Sequence, residues 1–376
     1  MNSNSGHRLF ILRQDLHQCR VDVCPDATRT LADGEVRLEI QHFALTSNNI
    51  TYAAFGELMK YWQFFPAPDA AWACLPVWGF AEVSESRASS LTLGRRVYGF
   101  FPAGTHLIVQ AGRVSPRGFR DLAAHRQELA AVYNQYSFCD ADPGWRADLE
   151  GLQAVLRPLF TTSFLLDDFF AEKQFFGAQR LLLSSASSKT AFGTAFCLAR
   201  RTSGMRPRVV GLTAASNLAF TQALGCYDEV LAYDSLSQLD AEVPTVYVDF
   251  SGSGTLRREV HTHFGGQLTF SSAIGGTHWT DLSSSGALPG PRPTLFFAPD
   301  QVKRRSAQPP QGWGPEGLEH RIGQAWSDFI EGVQQATPPW VQIVPQQGAA
   351  ATLAAYRSLL DGKANAQQGL MLSLRP

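Results

Sequence analysis

Lysine is scarce in this chain: it occurs only at Lys60, Lys173, Lys189, Lys303 and Lys363, and arginine carries nearly all the other positive charge. With 32 basic and 33 acidic residues the formal net charge is −1, so the attraction that draws proteins to nucleic acid or to an anionic membrane is missing. No apolar run reaches the ~18 residues of a membrane span. The start MNSNSGHRLFILRQ is too polar for a secretory signal. Six cysteines (Cys19, Cys24, Cys74, Cys139, Cys197 and Cys226) form no C-x-x-C pair, which removes the spacing of a structural zinc site or redox dithiol. Reduced thiols in a cytoplasmic protein are the expectation. Histidines 42, 106, 125, 261, 263, 278 and 320 are dispersed, and His261 and His263 fall on opposite flanks of a helix, so no metal pair is formed. No G-x-S-x-G elbow of a hydrolase is present.

What is present alternates in character along the chain. DGEVRLEIQHFAL opens on a turn and then alternates, with Val36, Leu38 and Ile40 on one face and Arg37, Glu39 and Gln41 on the other. WGFAEVSES and RRVYGFFPAGTHLIVQ continue the pattern, which predicts a β-rich, barrel-like domain over residues 1–114. FRDLAAHRQELAAVYNQY has helical spacing and predicts a helical insertion or cap over 115–150. From 151 to 300 helix-like and strand-like segments alternate with short connections, which predicts an α/β domain with a parallel sheet. Pro158 is expected to kink the first of these helices. Residues 301–376 form a closing segment.

The sharpest shortage lies within LLLSSASSKTAFGTAFCLARR, residues 181–201. An apolar run, a small-residue loop and a helix follow one another as in a nucleotide-binding unit, yet the loop holds serines, Lys189 and Thr190 where glycines are usual.

Four stretches carry a resemblance: GEVRLEIQHFALTSNNITYAAFG, WGFAEVSESRASSLTLGRRVYGF, LTAASNLAFTQALGCYDEVLAYD and LLDGKANAQQGLMLSL. Their order resembles the medium-chain dehydrogenase/reductase superfamily, and its zinc-free quinone oxidoreductase and enoyl reductase branches most closely. The resemblance implies an α/β protein with a GroES-like β-barrel domain, a Rossmann doubly wound parallel-sheet domain, and a C-terminal segment that returns to the barrel. It also implies a homodimer joined through the Rossmann edge strand. Zinc-dependent members place Cys and a His-Glu pair near the active site; here Thr46–Ser47 and LPVWGF stand there, so no metal is expected.

The resemblance also assigns residues. Ser185, Ser187, Ser188, Lys189 and Thr190 would hold the dinucleotide phosphates, with hydroxyls and one cation in place of glycine backbone. Phe192, near a position normally glycine, stands as a steric objection. The second strand ends in Thr213 and Ser216 with no acid, which favours NADP (NADPH) over NAD; Arg200 and Arg201 are either partners of its 2′-phosphate or, the favoured reading, a solvated helix end. Ser251, Gly252, Ser272, Ala273 and Ile274 would line the nicotinamide side. Asn48, Asn49 and Tyr52 would donate to a developing oxyanion. Tyr133, Asn134 and Tyr136 either cover the substrate or pack on the core.

Two functions stay open at this point. One is an NADPH-dependent, zinc-free reductase of a quinone, enone or carbonyl compound, with an apolar or aromatic substrate. The other is a non-redox relative of the fold, a C–C lyase or aldol-type enzyme or a small-molecule binding protein, in which the loop has lost its dinucleotide.

Overall fold

The computed structural model describes residues 6–201, 206–274 and 288–375. They fall into two compact units, residues 1–157 with 341–376, and residues 158–340.

In the first unit, β1 (Gly6–Leu12), β2 (Asp15–Cys24) and the short β4 (Trp72–Cys74) form a three-stranded sheet in the order β2-β1-β4. The barrel is built by β3 (Glu35–Leu45), β5 (Pro76–Ser86), β6 (Arg96–Pro102), β7 (His106–Ser115), β8 (Gly118–Asp121) and β9 (Gln135–Phe138). These pair in the order β3-β5-β6-β9-β8-β7, and β7 pairs back onto β3, so six strands close on themselves without an edge. The alternation in β3 does what its pattern requires: Val36, Leu38 and Ile40 are buried, and Arg37 and Glu39 between them are not. Helix α1 (Ser47–Ala54) follows β3 directly.

Residues 115–150 are not the helical cap that their spacing predicts. They supply β8 and β9, joined by short 3-10 turns, and so complete the barrel. The physical reason is a second periodicity in the same stretch. Phe119, Tyr136 and Phe138 point into the barrel from strand positions, and Phe119 stacks on Tyr136 at 5.2 Å. Polar residues of this stretch are partly internal as well. Arg126 is 1% exposed, pairs with Asp121 at 3.1 Å and donates to the Phe64 carbonyl.

Helix α2 (Glu150–Glu172) runs through Pro158, beside which the two units divide. At its first residue Glu150 accepts from Arg96 Nε and Nη2 at 2.6 Å each and from Trp145 Nε1 at 3.0 Å, with His42 Nε2 at 2.9 Å. Burial alone would raise the Glu150 carboxyl; the hydrogen bonds of Arg96 and His42 and the Arg96 charge outweigh it and hold the pKa at about 2. A carboxylate whose folded pKa lies below its unfolded value stabilises the fold above the unfolded value and loses that contribution as pH falls through the folded one. The melting temperature of the parent should therefore fall between pH 4.5 and about 2 more steeply than that of Glu150→Gln. Parallel pH profiles of the two proteins would remove Glu150 from the acid transition.

In the second unit β10 (Arg180–Leu183), β11 (Arg208–Thr213), β12 (Glu229–Ala232), β13 (Thr245–Asp249), β14 (Leu268–Ala273) and β15 (Thr294–Leu295) form one parallel sheet in the order β12-β11-β10-β13-β14-β15. β10 and β13 are buried throughout, as near-continuous apolar strands in a sheet covered on both faces must be. The order reverses between β10 and β13, and the carboxyl ends at such a reversal form the ligand crevice of doubly wound sheets. Helices α3 (Lys189–Ala199), α4 (Leu218–Ala223) and α5 (Gly254–Phe264) connect these strands. Leu256, Val260 and Phe264 of α5 pack with Leu182, Val210 and Tyr247 of the sheet.

Helices α6 (Ala298–Arg305) and α7 (Gly314–Gln335) belong to this second unit rather than to the closing segment. Trp326 and Phe329 of α7 pack on Phe160 of α2, Phe329 stacking at 4.4 Å, and tie α7 to the sheet's helical layer. The return to the first unit starts only at 341: β16 (Gln342–Gln347), α8 (Ala349–Leu360) and β17 (Gln368–Ser373), which pairs with β3. Among the described residues no helix is long and apolar enough to cross a membrane.

Candidate functional site

The loop after β10 is compact and heavily tied down. Ser184 Oγ donates to Asp249 Oδ1 at 3.0 Å, the Ser185 N–H donates to Tyr233 Oη at 3.1 Å, and the Ala186 N–H donates to the Leu212 carbonyl at 2.9 Å. Ser185 takes a left-handed conformation, φ 48°, at a point where glycine would be unstrained. The glycines this loop lacks appear on its neighbours. A Cβ on Gly211 of β11 would lie 2.8 Å from the Ala186 Cβ, and a Cβ on Gly193 would lie 2.7 Å from the Ser163 Oγ of α2. Close approach is thus achieved from the other side of each contact.

Phe192 is no obstruction. It is fully buried, and its ring packs on Phe329 of α7 and on Trp340, which makes it core on the helical layer. Ser188 caps α3, and its buried Oγ finds no partner among the described residues. Lys189 follows at the first helical position. It is half-buried, and desolvation lowers its pKa to about 8. Thr190 offers its carbonyl to Ser163 and Thr194.

At the end of β11, Thr213 Oγ1 donates to Ser187 Oγ at 3.3 Å and Asn217 Nδ2 donates to the same oxygen at 3.2 Å. Ser187, Thr213 and Asn217 therefore form one neutral cluster, while Ser216 is exposed beside it. Arg200 and Arg201 do not reach this cluster: Arg200 pairs with Asp328, and Arg201 grips Asp167 at 2.6 and 2.8 Å. They pair at the end of α3, in keeping with the helix-end reading.

Asp249, at the end of β13, was not singled out by the sequence. It is 1% exposed and accepts at Oδ1 from Ser184 Oγ, Ser251 Oγ and the N–H groups of Ser251 and Gly252. Its Oδ2 takes Arg257 Nε and Nη2 at 3.0 and 2.7 Å. This buried pair fastens the β10 and β13 loops together, and it places Ser251 by two hydrogen bonds. On the neighbouring strand Ser272 is buried with its Oγ unpartnered among the described residues. Ala273 accepts from the Phe296 N–H, and the Ile274 N–H donates to the Asp249 carbonyl. His278 and the rest of GGTHW lie outside the described residues. His261 is internal, bonded to Ser271 and to the Pro289 carbonyl, and His263 to the Leu239 carbonyl.

A second group of residues lies in the barrel unit. Asn48 and Tyr52 stand one turn apart on α1, and the Asn48 side chain hydrogen-bonds the Tyr52 hydroxyl. Trp78 Nε1 donates to the same hydroxyl at 3.3 Å. Asn49, by contrast, is spent on structure. Its Oδ1 takes the Thr46 N–H at 2.7 Å as the third residue of a capping box, and its Nδ2 donates to the Pro76 carbonyl at 2.9 Å. Both ends of this amide are engaged, the nitrogen through one of its two hydrogens, which gives Asn49 a structural role at the start of α1. Sequence reasoning missed Tyr61 and Trp78 here. Tyr61 packs on Tyr52 at 4.5 Å between ring centroids, and its hydroxyl meets that of Tyr133 at 3.2 Å. Tyr133 thus joins the candidate site, whereas Asn134 bonds Arg126 and Tyr136 is barrel core. Burial raises the Tyr52, Tyr61 and Tyr133 phenols above their ordinary pKa, so all three hold their protons at neutral pH. Among the described residues no three His, Cys, Asp or Glu side chains converge as a metal site would require.

A closed six-stranded barrel and a parallel sheet of this order make the GroES-like and Rossmann architecture that the sequence resemblance implies. The chain belongs to the family described as "Protein of unknown function (DUF2855)", whose model matches residues 43–365. The fold is similar to that of CurA from Vibrio vulnificus, solved in complex with NADPH, at TM-score 0.61 and 11% identity over 98% of this chain and 99% of that one. It is similar to a mutant enoyl thioester reductase from Candida tropicalis at TM-score 0.54 and 11% identity, with the same coverage. S. aureus TarJ, solved with NADPH, matches at TM-score 0.54 and 8% identity over 98% of this chain and 99% of its own. No curated protein matches the sequence.

Proposed function

We propose that this protein is an NADPH-dependent, zinc-independent oxidoreductase that reduces a quinone, enone or carbonyl compound of apolar or aromatic character. The observation that carries the reading is a pair of buried hydroxyls without partners among the described residues, Ser188 Oγ in the loop after β10 and Ser272 Oγ near the carboxyl end of β14. Buried hydroxyls without a partner cost stability, and a ligand's acceptors would repay them. Lys189 beside Ser188 supplies a cation at a helix N-terminus, as a pyrophosphate requires. The end of β11 carries hydroxyls and an amide but no carboxylate, so a 2′-phosphate meets no repulsion. Three structures of the same fold, CurA, TarJ and a mycobacterial protein, hold NADPH.

In this reading Ser185, Ser187, Ser188, Lys189 and Thr190 receive the phosphates, with Thr213 and Ser216 beside the adenosine ribose. Ser251, Ser272, Ala273 and Ile274 border the nicotinamide. Bound NADPH supplies the hydride. Asn48 and Tyr52 donate hydrogen bonds to the acceptor's oxygen as negative charge develops on it, and Tyr52 gives up its proton. Asn49 holds the first turn of α1 in place. A homodimer belongs to the same proposal and is read by sedimentation.

Thermal melts with increasing NADPH test the reading. A single site at one hundred times its Kd adds about 2.7 kcal/mol to the folded state, so the melting temperature should rise by several degrees. An unchanged melt at millimolar NADPH would refute the reductase and leave the non-redox alternative.

A further inference from the structure

Three of the chain's nine tyrosines meet in one place, although phenylalanine is far more abundant in it. Tyr52 comes from α1, Tyr61 from a turn entered through Lys60 in a left-handed conformation, and Tyr133 from the turn before β9. The rings of Tyr61 and Tyr133 meet edge to face at 5.7 Å, and Tyr133 lies 4.7 Å from Phe100. Phe64 and Phe100 complete the packing. Phenylalanine would fill the three tyrosine positions equally well without the cost of burying a hydroxyl. The hydroxyls are connected instead. Trp78 reaches Tyr52, Tyr61 reaches Tyr133, and the Tyr52 and Tyr133 rings meet edge to face at 6.4 Å, which brings their hydroxyls near one another. Tyr52 and Tyr61 are 5% and 6% exposed, and Tyr133 is the most exposed residue of the three.

We propose that Tyr133, held by Tyr61, is a positioning and proton-relay residue that orients the Tyr52 hydroxyl and restores its proton after each turnover. The proposal rests on the reductase reading above. Hydride from NADPH forms a C–H bond on the acceptor, and the Tyr52 O–H bond breaks as its proton passes to the acceptor's oxygen. Tyr133 then transfers its own proton to the Tyr52 phenolate and takes one from water. The net consumption is one NADPH and one proton per acceptor reduced. A relay is needed because the phenolate left on Tyr52 would be buried and faces only neutral donors in this cluster.

The experiment compares wild type, Tyr133→Phe and Tyr61→Phe in NADPH oxidation at 340 nm. Benzylideneacetone, 1,4-naphthoquinone and benzaldehyde serve as probes, in H2O and in D2O. Tyr133→Phe should lower kcat about ten- to a hundredfold with KM for probe and NADPH within twofold, and its solvent isotope effect on kcat should exceed that of wild type. Tyr61→Phe, which keeps Tyr133 in place, should show the same changes in smaller degree. A Tyr133→Phe protein with wild-type kcat and isotope effect would overturn the relay while the reductase stands. If that variant does not fold, wild-type kinetics in Tyr61→Phe would overturn it equally. Wild-type protein that oxidises NADPH with none of the three probes would overturn the reductase reading and the relay with it.

Discussion

Asp249→Ala should lower the unfolding free energy by about 3–5 kcal/mol, the range for breaking a buried ion pair from one side. Arg257 would keep its charge at 3% exposure with no carboxylate to receive it. Ser184 Oγ, Ser251 Oγ and the N–H groups of Ser251 and Gly252 would lose their shared acceptor in the same step. Removing both charges should be much milder, because the penalty comes from the orphaned guanidinium rather than from the loss of attraction. Asp249→Ala combined with Arg257→Met should therefore be more stable than Asp249→Ala alone. Urea denaturation followed by circular dichroism gives the comparison, and the two midpoints settle it. A double variant no more stable than Asp249→Ala would show that the loop hydrogen bonds, and not the buried charge, carry the effect.

That pair also marks where the sequence stops being informative. The barrel strands and the parallel strands announce themselves through local patterns. Alternation in EVRLEI dictates which face is buried, and the short apolar runs LLL and VYV mark strands covered on both faces, before any partner is known. Asp249 and Arg257 carry no such signal. One ends a strand and the other sits in a helix, so their spacing matches neither a period of two nor of 3.6. The same holds for Phe192. Helical spacing identifies a buried position but not the neighbour against which it packs, and here the neighbour is α7, more than a hundred residues on. The stretch from Gly118 to Phe138 carries both periods, and closure of the barrel decided between them. Tyr61 and Tyr133 stand 72 residues apart, and only the paired strands that frame their turns bring the hydroxyls together. The three phenols are legible as a group only in three dimensions, whereas Asn48 and Tyr52 are legible as a helical pair.

NADPH affinity should be level below about pH 7 and weaken above pH 8, by up to tenfold per pH unit. The cause is Lys189, whose ammonium desolvation brings to a pKa of about 8 in the free protein. Phosphate oxygens favour the charged form, so binding takes up a proton once the free lysine has lost it. In the proposed site the contact at neutral pH is a charge-assisted hydrogen bond worth about 1.5–3 kcal/mol, so Lys189→Ala should weaken NADPH by roughly ten- to a hundredfold and abolish the alkaline loss. Lys189→Arg separates charge from shape, since a guanidinium stays protonated throughout this range. It should bind at pH 9 as tightly as at pH 7, even if its fit to the loop is poorer. Titration calorimetry at pH 7 and pH 9 in two buffers of different ionisation enthalpy measures affinity and proton uptake together. Wild-type affinity in Lys189→Ala, with no proton uptake in the parent at pH 9, would place the pyrophosphate away from this loop.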